Sequence, residues 1–78
     1  MPRLPRVSGK DTVRALRRAG FVQFDQTGSH AYLHRFDGFT FGPRVTVPIH
    51  GRKTLAPKTL KAILEACGLT VDEFISAI

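Results

Sequence analysis

Apolar positions change period several times along this chain, and each change predicts an element. Between Ser8 and Gly20, Val13, Leu16 and Ala19 recur at helical spacing, while Lys10, Arg14, Arg17 and Arg18 fall within an arc of about 100° on the opposite side. Ser8 with Asp11 reads as a capping box with Asp in the usual Glu/Gln place, and Gly20 as the stop. Phe21-Val22-Gln23-Phe24 predicts a short strand, followed by a turn at Asp25-Gln26-Thr27-Gly28. From Ser29 to Phe36 the period becomes two, with Ala31 and Leu33 on one side and His30, Tyr32, His34 and Phe36 on the other. Arg44 to His50 alternates likewise, Val45, Val47 and Ile49 against Arg44, Thr46, Pro48 and His50; Pro48 lacks a backbone donor and marks an edge or an ending strand. A second helix begins at Ala56-Pro57 and ends at Gly68, its core stripe formed by Leu60, Ile63, Leu64 and Cys67. Thr70 and Glu73 cap a short terminal helix carrying Val71, Phe74, Ile75 and Ile78. The order predicts an α+β fold: helix-strand-strand-strand-helix, a three-stranded antiparallel sheet with helices on one face and a short C-terminal helix.

The chain has 78 residues, the size of one domain spanning 1–78, and 42% hydrophobic content is ordinary for a globular protein. Its net charge of +6 suits nucleic acid, an anionic surface or an acidic protein. Bases cluster at both ends, from Arg3 to Arg18 and from Arg52 to Lys61, so folding must join them to make one surface. Cys67 is the single cysteine; no intrachain disulfide forms, and its place on an apolar helix face makes it a packed thiol. The N-terminal Met1-Pro2-Arg3-Leu4-Pro5 lacks the apolar run of a signal peptide, and nothing reaches transmembrane length, so a cytoplasmic protein without a membrane is expected.

The candidate chemistry centres on Gly28-Ser29-His30. Histidine exchanges protons near neutral pH, and beside a phosphate-attracting surface it is what a metal-free ribonuclease needs; the alternative is a solvent-facing strand histidine. His34 is four strand residues away, about 13 Å at 3.3 Å per residue, too far to share one phosphate. His50 reads first as a strand-end residue bonded to the Gly51 loop and second as a catalytic partner. If Phe36 pairs with Arg44, His30 lies directly across from His50; a two-residue turn at Asp37-Gly38 instead shifts the pairing and requires a bulge near Gly42-Pro43. Lys10, Arg14, Arg17, Arg18 and Lys53 are expected to attract phosphate, Ser29 to lie in a turn with backbone donors, and Tyr32 to stack on an unpaired base or stand idle on the strand. The acids are scattered and no His, Cys, Asp or Glu group has metal-ligand spacing, so no metal and no cofactor is expected.

Ser8-Gly9-Lys10, Ala19-Gly20-Phe21, Gly28-Ser29-His30, Val45-Thr46-Val47-Pro48-Ile49-His50 and Thr59-Leu60 to Ile63-Leu64 occur in an order and spacing that resembles the HicA family of toxins. The resemblance implies a fold like the double-stranded RNA-binding domain, cleavage of messenger RNA, a HicB-type antitoxin as partner, and a catalytic histidine at His30. One departure is the long connection Asp37-Gly38-Phe39-Thr40-Phe41-Gly42-Pro43, where the family has a shorter hairpin; Phe39 and Phe41 there either form an exposed apolar tip or fold back on the strands. The expected function is therefore the toxin of a toxin–antitoxin pair, a metal-independent endoribonuclease acting on mRNA through His30. The alternatives are a non-catalytic RNA-binding module of the same fold and a basic subunit for an acidic protein.

Overall fold

The elements run α1 (Gly9–Arg18), β1 (Phe21–Thr27), β2 (His30–Phe36), β3 (Phe41–Pro48), α2 (Pro57–Cys67) and α3 (Val71–Ala77) in a computed structural model that describes residues 3–78. Met1 and Pro2, where the reading of the N-terminus begins, lie outside the described residues. The strands form one open antiparallel sheet in the order β1-β2-β3. The predicted α+β order holds, with β3 an edge strand that ends at Pro48.

The helix signals act largely as read. Ser8 Oγ accepts the Asp11 backbone N–H at 3.1 Å, which is one half of a capping box; the Asp11 carboxylate instead lies 4.0 Å from Arg14. Pro57 opens α2, and Gly68, at φ 70°, closes it. Thr70 and Glu73 complete both bonds of the α3 box, at 3.1 and 2.9 Å. The Thr70 backbone N–H foremost, and its hydroxyl second, hold the Glu73 carboxyl below its ordinary pKa.

Two apolar clusters share the helix side of the sheet. Val13 and Leu16 of α1 and Ile63 and Cys67 of α2 meet Ala31, Leu33, Val45 and Val47. Val7, Ala15, Leu60 and Leu64 close around Phe74, which docks α3. Leu16, Leu33, Leu60 and Phe74 are at most 1% exposed, and burial of each contributes roughly 1.5–3 kcal/mol. Cys67 packs in the first cluster, and burial pushes its thiol pKa up to about 11. Arg35, on the helix side of β2, lays its guanidinium 5.0 Å from the Phe21 ring centre and donates to the Cys67 carbonyl at 3.2 Å.

The strands depart from the reading in three places. First, β1 continues through Asp25, Gln26 and Thr27, so the turn is Gly28-Ser29 alone. The pattern broke at Asp25 because Phe24 and Asp25 together oppose Tyr32 in a β-bulge, which interrupts the alternation without ending the strand. Second, β3 starts at Phe41 and stops at Pro48, leaving Ile49 and His50 outside the sheet. Third, of the pairings left open, Phe36 with Arg44 does not form: Phe36 pairs with Phe41, and the bulge at Gly42-Pro43 read as the alternative does restore the faces, so His34 stands opposite Arg44. The connecting loop is held by Asp37, whose Oδ1 accepts the N–H groups of Phe39 and Thr40, each at 2.8 Å. These bonds lower the Asp37 pKa, the one from Thr40 most.

Candidate functional site

The site is set by the short hairpin between β1 and β2. Gly28 has φ 54° at the first turn position and Ser29 an ordinary negative φ, the pattern of a II′ hairpin turn. The Ser29 carbonyl accepts the Ile49 N–H at 2.6 Å, pinning the segment after β3 against the start of β2. His30 is exposed there, paired in register with Pro48. The direct pairing of His30 with His50 does not occur, because Phe36 closes the hairpin on Phe41 rather than on Arg44 and the bulge adds back only one residue. The two rings still come together: their centres are 6.5 Å apart and their planes 78° apart. His50 also accepts the Lys53 N–H at its carbonyl, at 3.1 Å, in the turn through Gly51 and Arg52. Its strand-end role and its closeness to His30 therefore coexist.

His30 opens onto a groove between the outer edge of β3 and α2, shared with Arg44, Thr46, Pro48, Lys58 and Thr59. Its cations are Arg44 and Lys58. The predicted basic residues lie elsewhere. Lys10, Arg14, Arg17 and Arg18 line a second groove, between α1 and β1, completed by Gln23, Gln26 and Ile49. Lys10 and Arg14 also face a third depression with Arg6 and Arg52. The backbone bridge between Ser8 and Thr54, with the Leu55 N–H bonded to the Val7 carbonyl at 2.8 Å, brings the two basic ends of the chain together. Lys53 is exposed but lines none of these grooves.

The α1 groove and His30 sit on different sides of the hairpin yet close along the chain. Gln26, in the groove, is one residue from Thr27, which pairs with His30. Ile49, also in the groove, is next to His50. Ser29 lies at this junction.

Tyr32 belongs to a larger feature. On the open face of the sheet, the Phe24 and His34 ring centres are 4.5 Å apart, His34 and Phe41 4.2 Å, and Phe41 and Phe36 4.6 Å. Tyr32 is 6.3 Å from Phe24, with the Arg44 guanidinium 5.3 Å from its own centre. Phe41 thus folds back onto the strands, whereas Phe39 is 93% exposed at the hairpin tip. The ring row and the place of Lys58 were missed in the sequence. Period-two spacing does place Tyr32, His34 and Phe36 on one face, but the partners on β1 and β3 depend on two bulges. Among the described residues, no three His, Cys, Asp or Glu side chains converge, and no helix is long and apolar enough to cross a membrane.

No curated protein matches the chain. A family model described as HicA toxin of bacterial toxin-antitoxin matches residues 9–69, from the start of α1 through α2 and beyond Gly68. That span covers the capped basic helix, the Gly-Ser-His hairpin and the second helix, and so the chain belongs to the HicA toxin family.

Proposed function

We propose that this toxin is a metal-independent endoribonuclease that cleaves mRNA at a phosphate held beside His30. The observation that carries the reading is the pair of imidazoles, 6.5 Å between ring centres, at the mouth of a groove bearing Arg44 and Lys58. Two imidazoles this close together can both act on one phosphate. One imidazole takes the proton of the 2′-hydroxyl as the 2′-oxygen bonds to phosphorus. The bond from phosphorus to the 5′-oxygen breaks, and the leaving oxygen receives a proton from the other imidazole. The products are a 2′,3′-cyclic phosphate and a 5′-hydroxyl. His30 takes one role and His50 the other, while Arg44 and Lys58 offset the charge that develops on the phosphate.

Lys10, Arg14, Arg17 and Arg18 hold flanking phosphates in the α1 groove, Ser29 marks the path round the hairpin to His30, and Lys53 adds long-range attraction. The natural partner is a HicB-type antitoxin that covers His30, and the cytoplasm, where mRNA is met, is the place of action. A second reading, a non-catalytic RNA-binding module, is favoured by one observation: the α1 groove is complete without His30.

His30→Ala separates the two. Because the side chain is exposed, stability should change by no more than about 0.5 kcal/mol. Cleavage of a labelled RNA should fall by about 10²–10⁴, while RNA binding persists. The native rate should be unaffected by EDTA. Equal rates for native and folded mutant protein would reject the nuclease assignment, and EDTA loss reversed by magnesium would reject its metal-free form.

A further inference from the structure

The open face of the sheet has no covering element, yet it carries the row of rings from Tyr32 to Phe36. Phe24 remains 48% exposed and Phe41 60%. Five aromatic side chains on one uncovered face of a small basic domain, three of them exposed and Tyr32 and His34 half-buried, call for an occupant. We propose that this face is a base-stacking platform that holds the unpaired nucleobases flanking the phosphate at His30. The inference rests on the ribonuclease reading and adds to it the single-stranded character of the substrate and the means of gripping it.

Three observations favour RNA over a protein partner. The row is continuous with His30: positions 30, 32, 34 and 36 of β2 share one face and succeed one another at about 6.6 Å, twice the strand rise. A strand of nucleotides laid along β2 therefore runs from the Phe36 end of the row past Tyr32 to the imidazole. The row also carries a cation, Arg44 over Tyr32, which complements a polyanion with π-faces. Asp25, opposite Tyr32, is the acid this register places on that face. Finally, the rings stand stacked at 4.2–4.6 Å with planes tilted by only 23–32°, so the column offers a π-face for a further ring at each end. Stacking of this kind is tolerant of base identity, because every base has a π-face.

The test uses two oligomers of equal length and charge that the toxin cannot cleave, a 2′-O-methyl oligoribonucleotide and its abasic counterpart. The native protein should bind the base-bearing oligomer at least tenfold more tightly. Phe24→Ala and Phe36→Ala, at the two ends of the column, should each weaken that binding about tenfold, yet leave abasic affinity and the salt slope unchanged. Phe24→Leu and Phe36→Leu keep apolar bulk without the π-face; they should behave like the alanine variants, and they carry the test should an alanine variant melt early. Native affinity in the leucine variants would overturn stacking in favour of the plain apolar contact a protein partner makes. Binding blind to bases, with cleavage still lost in His30→Ala, overturns the platform alone. Binding of neither oligomer overturns the ribonuclease reading as well.

Discussion

At the scale of single residues, exposure and burial assign opposite fates to the two chemically versatile side chains. His30 is held at a hairpin end, in water and near a second imidazole. Cys67 is 6% exposed, and burial, only partly offset by the charge of Arg35, raises its pKa to about 11. A thiol held neutral to that pH is a poor nucleophile. Iodoacetamide at pH 8 should leave Cys67 unmodified in the native protein and label it fully in denaturant; rapid native labelling would contradict its packing. The linkage sign follows from the raised value. The unfolded thiol ionises near its ordinary 9.0 while the folded one stays protonated, so stability should fall as pH rises from about 9 towards 11.

At the scale of elements, α1 presents its cations and its core contacts on different faces. Its outer face presents Lys10, Arg14 and Arg17 to the groove, but Arg18 also donates to the Ala77 carbonyl at 3.3 Å and so tethers α3. The clean test of RNA attraction is therefore Arg14→Glu with Arg17→Glu, leaving Arg18 alone. This pair should weaken binding to all sequences. It should also flatten the salt dependence by roughly 0.7 for each phosphate of a single strand that is no longer neutralised. An unchanged slope would turn attention to Arg52 and its neighbours. The Arg14–Asp11 pair is no obstacle, because exposed ion pairs contribute only about 0–1 kcal/mol. The inner end of α1 is held by close approach: a Cβ at Gly9 would run into the Pro48 carbonyl oxygen. Gly9→Ala should cost about 1–3 kcal/mol, read as a lower melting temperature, and should shift the end of β3 near His50. A native melting temperature would show that the helix and strand end separate easily.

At the scale of the whole molecule, a surface this basic with an exposed histidine suits a partner that masks both. The Phe39 ring, 93% exposed at the loop tip that Asp37 organises, is a natural anchor for that partner, whereas Phe41 belongs to the ring row. Phe39→Ala should weaken the toxin–antitoxin complex tenfold or more while leaving RNA cleavage unaltered. Native affinity in the variant would remove the loop tip from the interface, and a complex that still cleaves RNA would remove occlusion of His30 from the inhibition.

The sequence by itself determined what depends on neighbours along the chain. Ser8, Pro57, Gly68 and the Thr70–Glu73 box act through bonds to groups within a turn, so the helix boundaries are readable. Period two on β2 sorted Ala31 and Leu33 from His30, Tyr32 and His34, since alternation is a property of one strand. Register is different. The bulges at Phe24-Asp25 and Gly42-Pro43 arise between strands; the second, with the Phe36–Phe41 closing pair, decided that His30 pairs with Pro48, while the His50 ring meets it from outside the sheet. The position of the bases was likewise tertiary. Period 3.6 put four cations on one face of α1, but the backbone bridge from Ser8 to Thr54 brought Arg52 beside them, and the packing of α2 on β3 set Lys58 in the groove of His30. Spacing along a chain fixes which side chains share a face; only the folded contacts between elements fix which faces share a site.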